Sequence, residues 1–335
     1  MLREVSTEEA IGLPLAHDVT QIVPGVSKGV LFRRGHVIRP EDVSELLKCG
    51  KEHVYVMELG EGEVHEEDAA VRLSRAIGGP GCDFSEPAEG KVNLLAAHDG
   101  LVVVDAGLVN QLNEVEYVIV STRSDRVVVR RGEVVAAARV VPLIVPEATV
   151  AQAEALCARE AGRAVEVKPF RPMTAGIVST GSEVYKGRVP DAFGPVLRQK
   201  LEPFGVRVAG QVFVTDDMDQ TSRAIADFAG QGVDVILVTG GMSVDPDDRT
   251  PGAIRRAGAR VVTHGTPVLP GSMFLFGYLP APQPGGQEIP VMGLPGAVIH
   301  EKATVFDLIL PRVLAGERLR RGDFTRLGVG GLLPR

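Results

Sequence analysis

Tryptophan is absent from the 335 residues, tyrosine occurs four times, and aromatics make up 4%. A chain so poor in flat rings carries no stacking platform for single-stranded nucleic acid. A basic excess is missing too. There are 36 Lys and Arg against 43 Asp and Glu, a formal net charge of −7. That excludes a general binder of phosphate backbones but leaves room for a local basic pocket around one small anion. Cysteine is scarce: Cys49, Cys82 and Cys157 are odd in number, far apart and form no CxxC pair. Neither structural zinc nor a disulfide framework is indicated, and a reducing cytoplasm is expected. His17, His36, His53, His65 and His98 have no metal-ligand spacing and read as structural or surface residues. No apolar run approaches the roughly 18 to 20 residues needed to cross a bilayer. The first residues, "MLREVSTEEAIGLPLAHDV", mix acids among apolar positions, unlike a signal peptide. A soluble cytoplasmic protein with no nucleic-acid and no membrane partner is expected.

What is present suits a globular protein, with 44% hydrophobic and 24% charged residues and length enough for two cores or more. Residues 1–145 read as a β-rich (α+β) accessory region. "GVLFRRGHVI" alternates, "PEDVSELLKCG" is a short helix ended by Gly50, and "EHVYVME" is a strand. "EGEVHEEDAAVRLSRAIGG" is a helix with an acidic front, and from Lys91 the pattern returns to strands. Residues 146–172 read as a helix that bridges to the second half and a linker marked by Pro169 and Pro172.

From Thr174 the rhythm becomes strand, helix, strand, helix. "TAGIVST", "VRVAGQVFV" and "VDVILVTGG" are strands separated by "DAFGPVLRQKLEPFG" and "DMDQTSRAIADFAG". "GSMFLFGYL", "IPVMGLPG" and a helix from about Ala297 to Leu314 follow. Strands alternating with helices at this spacing predict a mostly parallel sheet covered on both faces. Ligands of such sheets sit at the carboxyl ends of the strands. A domain over 173–317 and a C-terminal tail over 318–335 complete the expected organisation.

Three of those strand ends finish in small residues and acids. The first carries Thr180, Gly181, Ser182, Glu183, Lys186 and Arg188; the second carries Asp216 and Asp217; the third carries Gly240, Gly241, Ser243, Asp245, Asp247, Asp248 and Arg249. Glycines there let backbone amides approach a phosphate or a flat ring. Carboxylates beside them can hold Mg²⁺ through one or two oxygens while substrate phosphates supply the rest. Plainer roles compete with these. Asp216 and Asp217 also suit a helix N-cap and first turn, Asp245 and Asp247 a turn around Pro246, and Thr250 an N-cap ahead of Pro251.

"TGSEV…KG", "V-x-DD", "TGGMSVDPDDRT", "VLPGSMFLFG" and "GLPG" occur over residues 173 to 315 in an order and spacing that resembles molybdopterin-binding domains of the MoeA, MogA and gephyrin type. "RRGHVIRPEDVSELLKCGKEHVYV" resembles MoeA loosely. The resemblance implies a three-layer α/β domain, homo-oligomers, a pterin phosphate as ligand (molybdopterin or molybdenum cofactor), Mg²⁺, and a molybdoenzyme as the protein served. By motif position it implies Asp248, Asp217 and Glu183 as catalytic acids, with Asp217 and Asp248 on the metal. Around the ligand it implies Thr180, Gly181, Ser182, Lys186, Gly240, Gly241, Ser243, Arg249, Pro270, Gly271 and Ser272.

The departures bear on chemistry. Leu269 and Ser272 stand where MoeA-like proteins carry the two lysines of "KPGKP". Asp191, Ala192 and Phe193 replace "DSN", and Leu294 to Val298 read "LPGAV" instead of "LPGNP". Lys186, Arg188, Arg249, His264 and Lys302 are candidate replacement cations, Lys186 and Arg249 foremost. "GGMSVDPDDRT" also echoes the CinA-type motif, so a Mg²⁺-dependent pyrophosphatase acting on a nucleotide diphosphate such as ADP-ribose is the alternative. A non-catalytic carrier is the third reading.

Overall fold

The computed structural model describes residues 2–23, 27–57, 59–159, 163–243, 248–283 and 285–333. The turn expected at Asp245 and Asp247 lies outside them. The chain divides into two compact units, Met1–Pro169 and Phe170–Arg335.

The first unit opens on a strand pair, Leu2–Ser6 antiparallel to His53–Met57. The alternating sequence there buries Val54 and Val56 over a small core with Leu15, Ile38 and Leu46. Helix Glu66–Ile77 begins at buried His65, whose Nδ1 accepts the Glu67 amide at 3.1 Å while Nε2 meets the Ala16 carbonyl at 2.7 Å. Its apolar stripe (Ala69, Leu73, Ile77) recurs at helical spacing and packs into one core with the antiparallel sheet of Cys82–Phe84, Lys91–Ala96, Val134–Val140 and Val118–Thr122. Helix Glu147–Arg159, expected as a bridge, belongs here instead. Val150 and Ala153 join that core, and Arg72 binds both Glu147 (2.8 Å) and Glu154 (2.7 Å). The presumed linker likewise starts as a strand, Val165–Pro169, paired with Gly100–Val104.

In the second unit, labelled from its own start, the strands are β1 (Thr174–Thr180), β2 (Arg207–Val214), β3 (Val235–Thr239), β4 (Arg260–His264), β5 (Leu275–Leu279) and β6 (Ile289–Leu294). The helices are α1 (Ser182–Tyr185), α2 (Phe193–Leu201), α3 (Met218–Gly230), α4 (Thr250–Arg256), α5 (Ala297–His300), α6 (Val305–Leu314) and α7 (Arg321–Thr325). Sheet order is β2-β1-β3-β6-β5-β4. The first four are mutually parallel, and β5 and β4 complete the sheet antiparallel. Continuous apolar runs make this possible, because every residue of β3 is buried. Alternate side chains feed two cores. Ile177, Leu237 and Met292 meet α2 and α6 on one face; Val178, Val238 and Val291 meet α3 and α4 on the other. The result is three layers, α/β/α, as the sequence pattern implied.

Two readings change. The helix expected over Ala297 to Leu314 is two helices, because Thr304 and Asp307 form a capping box that starts α6 afresh. The segment expected as a tail is folded in: Leu319 and Phe324 sit in the second unit's core, and buried Arg312 binds Glu317 (2.7 Å) and Asp323 (2.9 Å). Among the described residues no helix is long and apolar enough to cross a membrane.

Candidate functional site

Parallel strands end together, and β1, β3 and β6 end on Thr180, Thr239 and Leu294. Past β3 the chain turns through Gly240 (φ 84°) and Gly241 (φ 55°). A side chain on Gly240 would strike the Thr180 carbonyl, so only glycine lets the two strand ends approach this closely. Hydroxyls tie the turn down. Thr180 donates to the Thr239 carbonyl at 3.0 Å, and Thr250 donates to the Gly240 carbonyl at 2.8 Å. Thr250 therefore does not cap α4; Arg249 stands at the cap position with no side-chain cap bond.

A cleft of about 430 Å³ opens beside this turn. Gly240, Gly241, Met242, Ser243 and Asp248 line it from the β3 side, and Leu294, Pro295, Gly296 and Ala297 from β6. Gly271, Ser272 and Met273 close it after the cis Leu269–Pro270 peptide, and Phe193 closes it from the start of α2. Phe193 is held by Asp191, whose carboxylate accepts the amides of Phe193 and Gly194 at 3.0 Å each and the Gln211 amide at 2.7 Å. The far wall is braced by Lys200, which bonds the Lys302 carbonyl (3.1 Å) and Asp307 (2.6 Å).

Of the residues singled out from sequence, Gly240, Gly241, Ser243, Asp248, Gly271 and Ser272 meet in this cleft. The others do not line it. Thr180 lies behind the turn as its fastener. Gly181 receives the Glu183 carboxylate folded back over it, at 2.7 Å from where a Cβ would stand. Ser182 donates its amide to Asp216 at 2.9 Å, and Asp217 caps α3 through the Gln220 amide at 2.8 Å. The plainer capping role is thus what Asp217 performs. Lys186 and Arg249 are exposed. Pro270 only leads the chain to Gly271. His264 is outside as well; partial burial, then the neighbouring Arg255, push its imidazole below the ordinary value, so it is a poor cation near neutral pH.

Sequence reasoning passed over Met242 and Met273 of the apolar wall and met Phe193 only as a departure from "DSN". Both methionines stood inside quoted motifs, but as chemically plain residues they carried no signal.

Among the described residues no cation lines the cleft, and Asp248 is its one charged residue. Among the described residues Asp248 has no hydrogen-bond or ion-pair partner. Nor does any group of three or more His, Cys, Asp or Glu among them offer a metal site. This donor set fits a flat, uncharged ring against glycine backbone, Met and Phe. Among the described residues it offers Mg²⁺ a single carboxylate, Asp248.

Residues 176–315 match a family described as a probable molybdopterin binding domain. The match lies within the second unit. Residues 4–58 match a second family, described as a domain of unknown function (DUF8806). The chain is similar to the molybdopterin molybdenumtransferase of Synechococcus elongatus, 28% identical over 158 residues, covering 45% of this chain and 38% of that protein. A CinA-like protein of Desulfosudis oleivorans is 38% identical over 85 residues, 25% of this chain and 20% of its own length. The chain thus spans well under half of either relative. Among solved structures, the tungsten cofactor synthesizing protein MoaB of Pyrococcus furiosus is 19% identical, with 42% of this chain and 91% of that one covered at a TM-score of 0.35.

Proposed function

We propose that the cleft binds a small pterin phosphate, molybdopterin or the molybdenum cofactor made from it, and that the protein acts in the synthesis or delivery of that cofactor. One observation carries this reading. Three separate motifs of a domain matched to the molybdopterin-binding family converge on one cleft, whose volume of about 430 Å³ lies in the range of small-molecule sites. Glycine backbone and apolar side chains offer the ring its two faces, while Ser243 and Ser272 offer hydroxyls.

Delivery is favoured over metal insertion. Leu269 and Ser272 supply no positive charge, and Asp248 is the one carboxylate in the cleft among the described residues. In this reading the protein works in the cytoplasm as a homo-oligomer and passes the cofactor to a molybdoenzyme. Calorimetric titration with molybdopterin tests it: saturable binding at one site per second unit is expected, and no binding removes the proposal.

The CinA-like similarity supports a second reading, Mg²⁺-dependent cleavage of a nucleotide diphosphate. It needs carboxylates gathered around the pyrophosphate, and the described residues of the cleft supply one. Hydrolysis of ADP-ribose that depends on Mg²⁺, without pterin binding, would select it.

A further inference from the structure

We propose that Asp248 reads the ring of the ligand directly, accepting paired N–H bonds from a 2-amino-4-oxo heterocycle, and that the ligand's anionic group points out of the cleft to Arg249. The inference rests on the placement of the ligand in this cleft.

Asp248 is part-buried and faces a cleft whose other side chains are apolar or hydroxyl. A carboxylate removed from bulk water is normally hydrogen-bonded, yet this one has no partner among the described residues. Its two oxygens lie in one plane, and they match a group that presents two parallel N–H donors, as guanidinium does. On a flat heterocycle that means a ring N–H beside an exocyclic amino group. A ring with a carbonyl at that position would turn an acceptor toward the carboxylate and be rejected.

The same charge fixes which way round the ligand sits. A phosphate drawn into the cleft would meet Asp248 and no cation. Outside it, Arg249 follows Asp248 in the chain, is exposed, and has no ion-pair partner among the described residues. Ring inward and anion outward is the arrangement that leaves neither charge facing its like.

The test uses the full chain in EDTA and, separately, in Mg²⁺. The probes are 6-hydroxymethylpterin, its 2-oxo analogue 6-hydroxymethyllumazine, and molybdopterin. The wild type is expected to prefer the pterin over the lumazine by at least about 10-fold, with or without Mg²⁺. Asp248→Asn should bring that ratio close to one while its melting temperature stays near the wild-type value. Arg249→Gln should weaken molybdopterin about 10-fold, in a salt-dependent way, and leave 6-hydroxymethylpterin within about twofold. The idea is overturned by an Asp248→Asn protein that keeps the preference, by binding that EDTA abolishes, or by Arg249→Gln affecting both pterins alike. If the wild type binds no molybdopterin, the functional reading falls and this inference with it. If it binds molybdopterin but does not distinguish pterin from lumazine, only the inference falls.

Discussion

Gly240→Ala is the substitution that best tests how the cleft is built. At φ 84° an alanine costs about 1–2 kcal/mol in left-handed strain alone. Its Cβ would also run into the Thr180 carbonyl and stand 2.6 Å from the Thr180 hydroxyl. The carbonyl is backbone of β1 that cannot step aside, and overpacking of this kind costs about 1–3 kcal/mol. The sum is about 3 kcal/mol. Gly232→Ala is the matched control, with φ 74° and nothing within 4 Å of the added methyl, so only about 1 kcal/mol is expected there. With no tryptophan to report, unfolding in urea is best followed by far-ultraviolet circular dichroism. A slope of about 2 kcal/mol per molar turns these costs into midpoint losses of about 1.5 M and about 0.5 M. Equal losses in the two variants would refute the claim that β1 and β3 meet at this glycine.

Thr250→Val keeps the volume and removes the 2.8 Å bond to the Gly240 carbonyl; a loss of about 1–2 kcal/mol in the same unfolding assay is expected, and no loss would mean the hydroxyl fastens nothing. Arg312→Met removes the buried guanidinium shared by Glu317 and Asp323 and should cost about 2 kcal/mol; a neutral result would mean the C-terminal segment is not docked by these pairs. His65 gives a pH dependence. Burial, followed by the nearby Arg34, lowers its pKa, so the unfolded chain accepts a proton at about 6.5 that the folded chain resists. Stability is therefore complete above about pH 6.5 and falls as pH drops through the lowered value, and His65→Gln should flatten that slope. His17, lowered by burial and then Lys51, adds a slope of the same sign.

The sheet of the second unit was legible because β3 and β6 are strands buried on both faces, and such strands must be written as unbroken apolar runs. β4 was not read because "RVVTH" sits at the sheet's edge, with exposed Arg260 and His264 at its ends, and offers neither a long apolar run nor clean alternation. The break between α5 and α6 was written locally, in Thr304 and Asp307, but "HEKATVF" has no glycine or proline to draw attention to it. The docking of residues 318–333 was not written locally at all. It depends on Arg312 meeting acids that lie beyond its own helix, a tertiary fact with no periodicity.

The acids of the site show where strand-end reasoning reaches its limit. A doubly wound sheet does gather the ends of its parallel strands, but along a line, in sheet order. Asp217 follows β2, and Asp248 lies downstream of β3; between those strands stands β1. At about 4.8 Å per strand the two ends are about 10 Å apart, whereas two carboxylates sharing one Mg²⁺ must each come within about 2.1 Å of it. Only a helix start leaning across β1 could close that gap. The space above β1 is taken by α1, whose first amide, Ser182, is held by Asp216. Asp217 is meanwhile turned back to cap α3. The acid pair therefore secures the loop and helix beside the cleft and leaves Asp248 as the one acid that lines it among the described residues.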